Sequence, residues 1–111
     1  MALPRHALAT LELYSTEKCG RKGPLLRGQQ WRGDLRFMNG EGSYYGFLVD
    51  MDDELFPGEV RRVYLAFTRP DLVAPLAKPG AKVLYCEGHP VGEGQILEFY
   101  LSGKGLKGWA P

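Results

Sequence analysis

A chain of 111 residues with fourteen Lys/Arg against thirteen Asp/Glu is one domain's worth of sequence with almost no net charge. Its 44% apolar content is that of a globular domain and not of disorder, and two cysteines are too few for a disulfide framework and show no zinc-like pair spacing. The longest apolar stretches break within a few residues, which excludes a membrane-spanning helix. The opening MALPRHALATLELY has no apolar signal-peptide core. A soluble, cytoplasmic protein is therefore expected. Cys19 and Cys86 are expected as free thiols, with a single Cys19–Cys86 bridge as the alternative.

Taken in chain order, LATLELYS (Leu8–Ser15) alternates, with Leu11 and Leu13 on one face, and predicts a strand. KCGRKGPLLRG (Lys18–Gly28) is broken by glycines and Pro24 and predicts a loop. DLRFM, with Leu35 and Phe37 on one face, predicts a second strand. NGEGS is a turn signal, because Asn and Gly tolerate positive φ. YYGFLVDM follows as a strand and runs into the acidic MDDELFPGE, which ends in the turn pair Pro57-Gly58.

RRVYLAF places Val63, Leu65 and Phe67 on one face and Arg62, Tyr64 and Ala66 on the other. RPDLVAPLAKPG has room for one helical turn at most between its prolines. AKVLYCEG and VGEGQILEFYL predict the last two strands, hinged at Gly88-His89-Pro90. The expected core includes Val63, Leu65, Phe67, Val83, Tyr85, Ile96, Leu97 and Phe99. Burying both Ile96 and Leu97 requires a bulge, for which Gly94 is a suitable place, or packing on the barrel's exterior. Five to seven short strands and no long helical period define an all-β barrel or sandwich. One domain over residues 1–102 is expected, with a glycine-rich tail over 103–111.

Candidate chemistry is sparse. Gly88, Gly92 and Gly94 match neither a P-loop nor a dinucleotide fingerprint, and Gly92 and Gly94 are expected to mark a bulge or close backbone packing within the strand. Cys86 and His89 are close in sequence, yet a small partly buried thiol and an exposed histidine are expected rather than a nucleophilic dyad. Asp50, Asp52, Asp53 and Glu54 lack the glycine-centred pattern of a calcium loop and are expected as a solvated acidic turn. No cofactor, metal or catalytic group is expected. Charge is uneven along the chain: residues 38–60 contain six acidic and no basic residues. Arg21, Lys22, Arg27, Arg32 and Arg36, close to Trp31 and Phe37, mix cations with aromatic surface in a way that suits RNA.

Glu87-Gly88-His89-Pro90-Val91-Gly92-Glu93-Gly94 is similar to the turn written Glu-Gly-Gly-Arg-Thr-Val-Gly-x-Gly in the C-terminal barrel, domain 3, of elongation factor Tu, and is one residue shorter. CGRKGPLLRG resembles that family's Gly-Gly-Arg loop, and Pro57, Gly58, Pro70 and Gly80 fall in step with its turns. The resemblance runs from about Ala9 to Leu101. It implies a closed six-stranded antiparallel barrel. In the family this barrel holds the T stem of aminoacyl-tRNA and contacts other domains and the exchange factor. Glu87 and Gly88 match the residues that touch the T stem. His89-Pro90 stands where the family has Arg-Thr, and Asp34 near a family glutamine.

The implied function is that of a non-catalytic binding module contacting tRNA-like RNA or a translation-related protein, with no membrane partner. The surface would be Arg21, Lys22, Arg27, Arg32 and Arg36 with Glu87, Gly88 and His89. The alternative is an inhibitor or toxin-immunity protein that mimics an elongation factor Tu surface.

Overall fold

The computed structural model describes residues 4–19, 23–40 and 42–100. Six strands account for most of them: β1 (Ala7–Leu13), β2 (Gln30–Phe37), β3 (Tyr44–Asp50), β4 (Val60–Phe67), β5 (Lys82–Cys86) and β6 (Pro90–Phe99). Two four-residue helices, α1 (Thr16–Cys19) and α2 (Pro70–Val73), fill connections. The strands close into one antiparallel barrel in the order β1-β4-β3-β2-β5-β6. The all-β class and the six-stranded closure agree with the sequence. No helix among the described residues is long and apolar enough to cross a membrane, and the segment 103–111 lies outside them.

Alternation builds the core. Ala7, Ala9, Leu11 and Leu13 of β1 point inward with Leu35 and Phe37 of β2, Phe47 and Val49 of β3, and Val63, Leu65 and Phe67 of β4. Val83 and Tyr85 of β5 and Ile96 of β6 complete the interior. The turns follow their residues: Gly58 and Gly80, each after a proline, have φ of +93° and +90°.

Two expectations need correction. Leu97 is only half-buried and lies outside the core, whereas Phe99 packs against the core from its edge. The reason is a bulge, three residues later than expected. Leu8 faces Glu98 and Ala9 faces Ile96, so Leu97 has no partner on β1. β2 also begins earlier than the alternation suggested, running through Gly33. There a methyl group would stand 2.5 Å from the Cys86 carbonyl oxygen and 3.3 Å from the Phe47 ring.

The glycines of β6 have a similar cause. Gly94 does not have positive φ. A methyl group on it would collide with the Thr10 carbonyl, and one on Gly92 would come within 2.6 Å of the Glu12 carbonyl. β1 and β6 therefore approach closely here. The Tyr85 hydroxyl donates to that same Thr10 carbonyl oxygen at 2.8 Å.

Candidate functional site

The β5–β6 hairpin is the natural place to start. Gly88 turns with φ of +81°, and the Glu87 N–H donates to the His89 carbonyl at 2.9 Å. With Asp34 of β2 and Tyr44 of β3, the residues Cys86, Gly88, His89 and Pro90 line a pocket of about 400 Å³ on the outer wall. Tyr44 is 59% exposed at its rim. Two of the sequence-predicted residues, Gly88 and His89, thus meet in one pocket.

Glu87 has an inward task. Its carboxylate accepts a hydrogen bond from Trp31 Nε1 at 2.8 Å, tying the hairpin to β2. The indole packs edge-on to Phe47, 5.0 Å between ring centroids, and tilted against Tyr85 at 6.0 Å. The Cys86 thiol is a free, buried group. Burial pushes it up first, and the Asp34 carboxylate adds to that while Arg36 opposes it. A nucleophilic cysteine needs the opposite environment.

The structure disperses the predicted cations. Arg21 and Lys22 lie outside the described residues. Arg27 donates to Asp53 at 3.2 Å, and Arg61 reaches the other oxygen of that carboxylate at 3.4 Å. The Arg27 hydrogen bond leads the effects holding the Asp53 carboxyl below its ordinary range. The acidic segment is thereby interleaved with the basic ones, and among the described residues no acidic, His or Cys cluster could hold a metal ion. Arg32 and Arg36 both point outward from β2 with Asp34 between them. Arg32 faces Leu48, whereas Arg36 lies between Tyr44 and Leu84.

Sequence reading missed three features. His6 is fully buried, accepts the Phe67 N–H at Nδ1 at 2.8 Å and stacks on the Phe67 ring at 6.3 Å. Burial lowers its pKa to about 4. Arg5 lies over the exposed Tyr64 ring at 4.1 Å, and Tyr64 neighbours Tyr100 at 6.4 Å. A second open pocket lies between Met38 and the Lys78–Lys82 segment. None of these is marked by local pattern, because each joins residues far apart in the chain.

Fold and surface together define a small, closed, six-stranded antiparallel β-barrel with scattered charge and exposed aromatic residues. No protein-family model matches the chain, and no curated protein matches it.

Proposed function

We propose that this barrel is a non-catalytic binding module whose ligand is a protein. One observation carries the choice of a protein over RNA: Asp34 stands between Arg32 and Arg36 on the outer row of β2. With Arg27 held by Asp53, the sequence-predicted Arg27, Arg32 and Arg36 do not make an uninterrupted row of cations for a phosphate backbone. Exposed large side chains such as Tyr44, Met38 and Tyr64 supply instead the aromatic and methionine surface that protein interfaces favour. The resemblance to the C-terminal barrel of elongation factor Tu, which in that family contacts both RNA and protein, does not separate the two, and narrows a protein partner to a translation-related one. The raised Cys86 thiol argues against nucleophilic chemistry in the hairpin pocket.

The deciding experiment is a tRNA titration at low salt. No binding is expected at roughly tens of micromolar protein, where any specific complex would be saturated. Binding whose log–log salt slope fell by about two contacts, at about 0.7–0.9 each, on changing Arg32 and Arg36 to Ala would replace this reading with RNA recognition.

A further inference from the structure

The loops after β2 and before β5 meet at the end of the barrel away from the hairpin. There Met38, Asn39, Lys78, Pro79, Ala81 and Lys82 line an open pocket of about 460 Å³. Met38 is 56% exposed, although it directly follows a strand whose inward residues are buried. Lys78 and Lys82 are both exposed. Among the described residues neither ammonium has an ion pair, and no carboxylate lines the pocket. Lys82 also lines a second groove together with Glu12 and Glu93.

The floor is fixed by the backbone. The Met38 N–H donates to the Lys82 carbonyl at 2.8 Å, the Gly80 N–H to Ile96 at 2.7 Å and the Ala81 N–H to Lys78 at 2.9 Å. These donors are therefore committed and do not form an anion cradle. What remains for a ligand is two mobile point charges flanking a flexible, polarisable thioether and apolar loop surface. An ammonium pair fits carboxylates spaced along a chain, and methionine adapts to an inserted apolar side chain. The pocket is open to solvent, which suits a segment lying across it.

We propose that this end of the barrel docks an acidic peptide segment of a partner protein, with carboxylates on Lys78 and Lys82 and one apolar side chain against Met38. The proposal rests on the protein-binding reading and names the partner's chemistry.

The test is a titration of the isotope-labelled full chain, followed by amide NMR shifts, with the synthetic peptide Glu-Glu-Leu-Glu-Phe-Glu up to roughly 1 mM, the range of a weak single-motif contact. Shifts are expected at Met38, Asn39 and Lys78–Lys82. The double variant Lys78→Glu, Lys82→Glu, both surface changes, should keep the unperturbed spectrum elsewhere and weaken binding by about tenfold or more. A peptide with lysine in place of each glutamate should give no shifts. Absence of shifts at the highest concentration, or full binding by the double variant, would overturn the proposal. A short oligonucleotide that gave the same shifts at lower concentration would overturn it in favour of phosphate, together with the protein-binding reading. Peptide shifts at Tyr44, Gly88 and His89 instead would reject this surface and leave that reading intact.

Discussion

A buried imidazole that accepts a hydrogen bond from a backbone N–H must stay neutral. His6 is in that position, with Nδ1 taken by the Phe67 N–H and no exposed surface. The unfolded chain binds its proton near 6.5 and the folded chain only at about 4. Between these values the unfolded state binds more protons, so stability falls as pH drops through that window and stops falling below it. The full loss from this one group is about 3 kcal/mol. Urea unfolding at pH 7 and pH 4.5 should show it. His6→Asn, which keeps a side-chain acceptor near Phe67, should lose less stability between the two pH values than the parent. An equal loss in both proteins would assign the acid sensitivity to other groups.

At the scale of elements, the contact between β1 and β6 is the tightest constraint. Gly94→Ala puts a methyl group against the Thr10 carbonyl, which is backbone and cannot swing aside. A loss of about 3 kcal/mol or more is expected, measured by chemical denaturation. A loss below about 0.5 kcal/mol would mean that the strands do not approach as described. On β4, Leu65 is fully buried, and Leu65→Ala should cost about 2–5 kcal/mol in the same assay.

These elements also show what a sequence discloses. The alternation of RRVYLAF and the Pro-Gly corners were legible because each is a local choice with a local cause. The start of β2 was not, since the place of Gly33 is set by Phe47 and Cys86 on the two strands flanking β2. The bulge at Leu97 likewise depends on the register with β1. The candidate site was less legible than the fold. Charge pattern grouped Arg27, Arg32 and Arg36, but Asp53 comes from a distant loop. Glu87 was singled out for the surface, where it is exposed, but the hydrogen bond its carboxylate accepts from Trp31 was not legible.

For the whole molecule, closure joins the first strand to the last, Ala7 opposite Phe99. Contacts of such wide sequence separation require loop closure before they return stabilisation. Refolding is expected on the timescale of about milliseconds to seconds, followed by the fluorescence of Trp31, which becomes buried. Refolding complete within about a hundred microseconds would show that local structure, not barrel closure, limits the rate.

The same first-to-last pairing has a consequence during synthesis. While the chain is being made, β1, β4, β3 and β2 can assemble as an open sheet in that order. Its two edges, β1 and β2, wait for β6 and β5, which leave the ribosome after them. Until then both edges offer unpaired N–H and C=O groups to any neighbouring strand. Nascent chains on one crowded message are therefore the setting in which these strand edges are most exposed to mispairing.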